Sequence, residues 1–362
     1  MAVKETLWPA PPHTLAKHAI LRAYLEAWFP ILAKWHQRII YYDGFAGPGR
    51  YIGGEDGSPV IALSVARDHR AQLDSEIRFF FVEEREDRAS HLRQELQRIT
   101  IPGHFVVDVI NESFEDSLRG ALDALDEIGA EIAPTFAFVD PFGIKGVPFE
   151  LIARLMDRDR CEVLITFMSS VIQRWATELP EHVDRLIGED GVAAEIIESP
   201  ERVVLARRRF EESLGKVARF VRFFELRDQG DRPVYDLFFA SNHPLGHYKM
   251  KEAMWKVGGT EDYSFSDGVD PAQATLFGAN PGSDFAPDLW QRFRSETVLS
   301  ERVLEYTRDG TAFLEKHARE ALKLLEAGEV GAKKITVAAT KTDGKPRKKR
   351  TFPQGTIITF SN

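Results

Sequence analysis

The sequence holds one cysteine, Cys161, among its 362 residues. That excludes an intramolecular disulfide and any cysteine-built metal cluster. Because Cys161 opens a strand-like run, it reads as core in preference to a catalytic thiol. No apolar run approaches the roughly 20 residues that cross a bilayer. The first thirty residues carry Pro9, Pro11, Pro12, Lys17 and Arg22 where a secretory segment would be apolar, so a cytoplasmic protein is expected. A phosphate loop of the form G-x-x-x-x-G-K-[ST] and a G-x-S-x-G nucleophile elbow are both missing, which argues against nucleotide hydrolysis and esterase chemistry. His243 and His247 are four apart, but Pro244 and Gly246 lie between them and no carboxylate completes a triad, so no metal site is expected. Acid is scarce in one stretch. Residues 330–362 hold eight Lys and Arg against one acid, Asp343, which gives +7 there and −16 in the rest of a chain whose net charge is −9. Any polyanion contact is therefore expected to be local.

What is present suffices for a sizeable core. The composition is 43% hydrophobic and 11% aromatic, and the length suits roughly two domains of ~150 residues each. From Thr14, a candidate cap, Leu15, Ile20, Leu21, Tyr24, Leu25, Trp28 and Phe29 recur at three and four, the spacing of an amphipathic helix. Apolar runs then alternate with helical segments: strands over 39–42, 79–82, 105–110, 136–139 and 163–168, with helices opening at Ser58, Glu86, Phe114 and Pro148. Short, nearly continuous apolar strands separated by helices describe a parallel sheet covered on both faces. After an acidic helical stretch over 178–212, two strands over 220–226 and 235–240 are separated only by a polar segment with Gly230 and Pro233, which suits a hairpin. A mostly parallel α/β sheet closed by an antiparallel hairpin is the class I methyltransferase (Rossmann-like) arrangement. The expected organisation is a methyltransferase-like domain over 1–256 with an N-terminal lid helix, a Gly, Asp, Pro and Ser-rich linker over 257–287, and a small basic module over 288–362. In that module helices precede two strands, 335–338 and 356–360, around a basic loop, the order of a winged helix.

Chemistry collects at the strand ends. Asp43-Gly44-Phe45-Ala46-Gly47-Pro48-Gly49 ends the first strand with an acid and spaces glycines as D-x-x-x-G-x-G. Glycines let the backbone turn sharply and come close to a ligand, and Asp43 offers a carboxylate to a positively charged methionine moiety. A nicotinamide reading through Gly47, Gly49 and Gly53 needs a helix to begin at once, whereas residues 51–57 form a loop. A plain glycine turn is the bland alternative. Glu83, preferred to Glu84, stands at the end of the second strand to accept ribose hydroxyls, and Asp108 or Asn111 stands near the end of the third to meet an adenine amino group. The fourth strand ends in Asp140-Pro141-Phe142-Gly143, where amino-methyltransferases carry D-P-P-Y. An exocyclic amine is a weak nucleophile. Acceptors from Asp140 and the next carbonyl would orient its lone pair, and Phe142 would stack on the base. Magnesium held by Asp43 and Asp140 for a nuclease is a weaker reading, as the two sit on separate strand ends. Lys341, Lys345, Arg347, Lys348, Lys349 and Arg350 form a basic loop suited to phosphates, with few residues able to read bases.

The segments from Tyr42 to Tyr51, Gly57-Ser58-Pro59, Phe138 to Gly143, and Asn242-His243 to Met254-Trp255-Lys256 together resemble the three-Cys-motif partner family over nearly the whole chain. The resemblance implies a methyltransferase-like sheet, a winged-helix tail, and a partner protein with a three-cysteine motif that looks like a radical iron-sulfur enzyme. It also implies that Lys17 and His18 face the site from a lid helix. Two functions follow as expectations: S-adenosylmethionine-dependent methylation of a nucleic acid, in repair or modification with that partner, or a non-catalytic nucleic-acid-binding protein that recruits it.

Overall fold

The computed structural model describes residues 5–258, 264–266 and 280–362, which form two compact units. In the first, the chain runs α1 (Pro12–Ala33), β1 (Arg38–Asp43), α2 (Ser58–Arg67), β2 (Glu76–Val82), α3 (Glu86–Gln97), β3 (Phe105–Ile110), α4 (Phe114–Glu127), β4 (Thr135–Val139), α5 (Phe149–Met156) and β5 (Cys161–Phe167). Four helices follow, α6 (Ile172–Glu178), α7 (Pro180–Ile187), α8 (Val192–Glu198) and α9 (Arg202–Val217), then β6 (Phe220–Arg227), β7 (Pro233–Ser241), α10 (Pro244–Gly258) and the short β8 (Ser264–Ser266). The strand order is β3-β2-β1-β4-β5-β7-β6-β8. Strands β1 to β5 are mutually parallel, and β7 runs antiparallel to both β5 and β6. This is the expected mostly parallel α/β sheet with a hairpin at one side.

Every residue of β4 and β5 is buried, because helices cover both faces of the sheet centre. On one face Tyr24, Trp28 and Phe29 of α1 meet Phe136, Tyr41, Phe79 and Phe239 in a run of ring contacts. On the other, Val139, Ile165 and Phe167 pack under Leu118, Leu151, Ile152 and Phe210. Asp43 closes β1 at its carboxyl end, and Glu83 and Asp140 directly follow β2 and β4. Helix α1 begins at Pro12, not at Thr14. A proline at the first helical position suits an end whose amides lack helical partners, and the Pro11 carbonyl accepts from the Thr14 and Leu15 amides, so Thr14 lies inside the helix.

The second unit holds α11 (Pro281–Phe293), β9 (Thr297–Leu299), α12 (Ser300–Gly310), α13 (Glu315–Ala327), β10 (Ile335–Val337) and β11 (Ile357–Phe360). β11 is the centre of a three-stranded antiparallel sheet, flanked by β10 and β9. Phe285, Leu289 and Phe293 of α11, Leu322 and Leu325 of α13, and Ile358 and Phe360 are buried in this unit. The expected linker over 257–287 needs correction at its described ends, the remainder lying outside the described residues. α10 runs to Gly258 and α11 starts at Pro281. Pro281, Ser283 and Asp284 read as loop composition but here build a helix start, in which the Asn280 side chain accepts from the Ser283 amide.

Candidate functional site

Asp43, the last residue of β1, is fully buried. It accepts from the Phe45 amide at 3.3 Å and from the Tyr41 hydroxyl at 3.4 Å. Burial drives its carboxyl up to about 7, helped by the negative charge of Asp140 and opposed by the Ser58, Phe45 and Tyr41 donors. The glycine turn that follows is tightly constrained. Gly49 has φ +84° and a Cβ there would lie 2.7 Å from Leu92 Cδ1, so no other residue fits without displacement.

Glu83, just past β2, is buried, whereas Glu84 is exposed. Its Oε2 accepts from the Gly47 amide at 3.0 Å and its Oε1 from the Arg85 amide at 2.9 Å, so the acid is clamped against the glycine turn with a further lone pair on each oxygen. Burial raises its pKa against the pull of those amides and of the Arg88 charge.

Asp140, just past β4, meets Lys17 from the first turns of α1. Lys17 Nζ donates at 2.6 Å to Oδ1 and 2.5 Å to Oδ2, and Thr166 Oγ1 adds a bond of 2.7 Å to Oδ1. Oδ1 thus has two donors and Oδ2 one. The Tyr235 ring centroid lies 4.9 Å from the Lys17 ammonium. His18, the neighbour of Lys17, is buried and pushed down to about 3, chiefly by burial and then by the Lys17 charge, so it is neutral. Its Nδ1 has no hydrogen-bond partner among the described residues.

A cavity of about 490 Å³ opens beside these groups. Gly44, Phe45, Glu83, Pro141, Phe142 and Gly143 line it together with Phe114, Arg88, Arg174 and Trp175. Asp43, Ala46, Gly47, Gly49, Asp140 and Lys17 are not among its lining residues, though Asp43 and Asp140 directly precede Gly44 and Pro141, which are. Neither Asp108 nor Asn111, the alternatives at the third strand, lines the cavity. β3 is the sheet edge, Asp108 pairs in mid-strand with Phe80, and its side chain is exposed. The Asn111 amide nitrogen donates to the Glu83 and Glu84 carbonyls at 2.9 and 3.0 Å and so fixes the end of β2.

Several neighbours carry no sequence signal. The Trp8 ring stands edge-on to Phe142 and Tyr51, at 5.1 and 5.7 Å between centroids, and the Arg88 guanidinium lies 4.5 Å from it. Thr166 and Tyr235 likewise have nothing local in sequence that marks them as partners of Asp140 and Lys17.

In the second unit the basic loop divides. Arg347 is almost wholly buried: it pairs with Glu326 at 2.6 Å and donates to the Ala338 and Thr351 carbonyls. It therefore holds the loop to α13 and is not free for phosphate, contrary to expectation. Lys341 and Lys345 lie 3.1 and 3.7 Å from Asp343. Lys348, Lys349 and Arg350 are exposed.

No family model matches the sequence, and no curated protein matches it. Solved structures do. The chain is similar to protein LPL1258 from Legionella pneumophila str. Philadelphia 1, at 11% identity and TM-score 0.40, over 68% of this chain and 91% of that one. It is similar to Trm1 from Pyrococcus horikoshii, solved with S-adenosyl-L-methionine, at 10% identity and TM-score 0.36, over 71% of this chain and 61% of that one. It is also similar to the O-methyltransferase from Bacillus cereus in complex with SAH, at 15% identity and TM-score 0.34, over 61% and 80% of the two chains. These likenesses are distant, and none adds to the resemblance to three-Cys-motif partner proteins. No described helix is long and apolar enough to cross a membrane.

Proposed function

We propose that the first unit is an S-adenosylmethionine-dependent methyltransferase acting on an amine of a nucleic acid, and that the second is a winged-helix module that holds the polyanion. The observation that carries this reading is the meeting, at one cavity, of an acid clamped to the glycine turn (Glu83) with the segment Pro141-Phe142-Gly143 that follows Asp140. The cavity suits the cofactor: its ~490 Å³ falls in the usual range for small-molecule sites. Phe45, Phe114 and Trp175 offer apolar faces to a purine, Glu83 has lone pairs for ribose hydroxyls, and Asp43 gives a carboxylate for the ammonium group.

When bound, the cofactor supplies an electrophilic methyl group on sulfur. The protein's own task is to hold and orient the amine. Asp140 Oδ2 accepts a single hydrogen bond, from Lys17, and so keeps a lone pair for an amine N–H of the target. That bond aims the nitrogen lone pair at the methyl carbon. Lys17, bonded to Asp140 and in contact with the Tyr235 ring, keeps the carboxylate fixed and its charge balanced. Phe142, 42% exposed, gives the target base a stacking face.

Cytoplasmic location, supported by the prolines and charges of the first thirty residues, and association with a three-Cys-motif protein, supported by the sequence resemblance, belong to the same reading. The second reading, a non-catalytic recruiting protein, is favoured by one observation: Phe142 and Gly143 stand where D-P-P-Y has proline and tyrosine. Titration calorimetry with S-adenosylmethionine and S-adenosylhomocysteine separates the two. The enzyme reading expects micromolar binding that Asp43→Ala or Glu83→Ala abolishes, followed by transfer of radiolabelled methyl to DNA or RNA. A folded protein that binds neither compound moves the assignment to the recruiting role.

A further inference from the structure

The basic loop singled out in the sequence ends at Arg350, which lines a cavity of the second unit. That cavity, of about 530 Å³, lies between the start of α12, one face of α13 and residues 350–354. Arg319, Lys323 and Arg350 bring cations to it, and Leu304, Phe352 and Pro353 give it an apolar side. Its one acid, Glu301, is already engaged with the Gly355 amide and the Ser300 hydroxyl, both at 2.8 Å. Lys323 and Arg350 have no ion pair among the described residues, and Arg319 shares its charge with Glu315 at 3.1 Å. Lys316, Arg319 and Lys323 fall on one exposed face of α13, at steps of three and four residues.

A second, independent observation marks Arg350. Its backbone is left-handed, φ +60°, a conformation that an L side chain adopts at a cost and that glycine takes freely. The buried Arg347 just before it ties the loop to α13 through Glu326, so the turn that carries Arg350 is held beside the groove. Backbone strain at a position with a free cation facing a cavity is the pattern of a functional site.

We propose that this groove is a phosphodiester-binding site for nucleic acid, with Lys323 and Arg350 each meeting a backbone phosphate, Arg319 beside them, and the Phe352–Pro353 side packing on sugar. The site rests on the nucleic-acid reading above but relocates its anchor from the loop tip to the groove. Cations placed at turn intervals of ~5.4 Å along a helix suit a ligand that bears a charge at every residue. Arg350 adds to the groove a cation from residues 330–362, the stretch with a net charge of +7.

The test uses the full chain, a fluorescein-labelled mixed-sequence DNA in single-stranded and duplex form, and anisotropy titrations across a series of KCl concentrations. Removing one phosphate-binding cation should weaken binding about eightfold near 0.1 M salt and reduce the log–log salt slope by about 0.9. Lys323→Ala with Arg350→Gly should therefore lose more than tenfold in affinity and nearly two units of slope, while Lys345→Ala changes binding by less than threefold. Arg350→Gly alone relieves the backbone strain, so its Tm should stay level or rise as its affinity falls, a pairing that a purely structural role would not give. If the unaltered chain binds DNA and the double variant binds equally well, the groove is refuted and the nucleic-acid reading stands. If the unaltered chain binds no DNA at any salt, the nucleic-acid reading itself falls. If poly-glutamate displaces the DNA at equal charge concentration, the groove is a site for acidic protein and the proposal is overturned.

Discussion

Titrating Asp43 tests the cofactor assignment most sharply. Its carboxyl sits at about 7 because burial disfavours the charge, whereas the ordinary value is 3.8. A ligand that brings an ammonium group against it binds the ionised form. The ionised fraction falls from about 0.9 at pH 8 to about 0.1 at pH 6, so affinity should drop roughly tenfold across that window. S-adenosylhomocysteine should show the same slope as S-adenosylmethionine, since the two share the ammonium group and differ at sulfur. Stability runs the other way. A folded pKa raised above the unfolded one means that the folded protein holds the proton more tightly, so ionising Asp43 destabilises the fold as pH rises from 3.8 to about 7, by at most about 4 kcal/mol. Asp43→Asn, nearly isosteric and neutral, should flatten both dependences, bind the ligand weakly at every pH, and melt higher than the unaltered protein at pH 8. Calorimetric titration with S-adenosylhomocysteine at pH 6, 7 and 8, with thermal melts in the same buffers, reads all of this. A wild-type affinity that is flat over the window, or a slope that survives in Asp43→Asn, refutes the assignment of Asp43 to the ammonium.

Breaking the Lys17–Asp140 pair as Lys17→Met leaves a largely buried carboxylate with Thr166 as its hydrogen-bond donor. It should cost about 3 kcal/mol in urea unfolding and remove methyl transfer, with S-adenosylhomocysteine affinity kept within about threefold. Arg347→Ala should act on stability, not on nucleic acid: it strands Glu326 and two carbonyls, lowers the Tm by several degrees, and leaves the salt slope of DNA binding intact. Gly49→Ala forces a Cβ to within 2.7 Å of Leu92 Cδ1 at φ +84°, which should destabilise by about 2–4 kcal/mol, measured as a shift in the urea midpoint. Cys161, whose thiol burial pushes up to about 12, should react with a thiol reagent at pH 8 only on the timescale of unfolding.

The sheet was legible because its strands are buried on both faces and so read as unbroken apolar runs, and because Asp43, Glu83 and Asp140 each interrupt such a run where the strand leaves the core. Position at a strand end is a local property, and local patterns convey it. Asp108 shows the limit of that logic. An acid inside an apolar strand marks a strand end only if the sheet continues on both sides, and β3 is the edge, where a mid-strand acid reaches solvent. Composition misled at Pro281–Phe293 for a related reason: proline, serine and aspartate serve loops and helix starts alike, and only the buried Phe285, Leu289 and Phe293 beyond them decide between the two. The basic loop misled because charge count carries no information about burial. Six cations in ten residues look equivalent until Glu326, 21 residues before Arg347 and on α13, removes one of them to the interior. The pairings that give the candidate site its chemistry lie further apart still. Lys17 and Asp140 are separated by 123 residues, and Tyr235 reaches back 222 residues to the His13 carbonyl at the start of the helix that carries Lys17. No window along the chain spans such distances. The sheet brings them together: β7 lies beside β5, whose Thr166 reaches Asp140 at the end of β4, and Tyr235 enters at the start of β7. The antiparallel hairpin is therefore part of the site, since a parallel strand in the place of β7 would present its other end to Lys17.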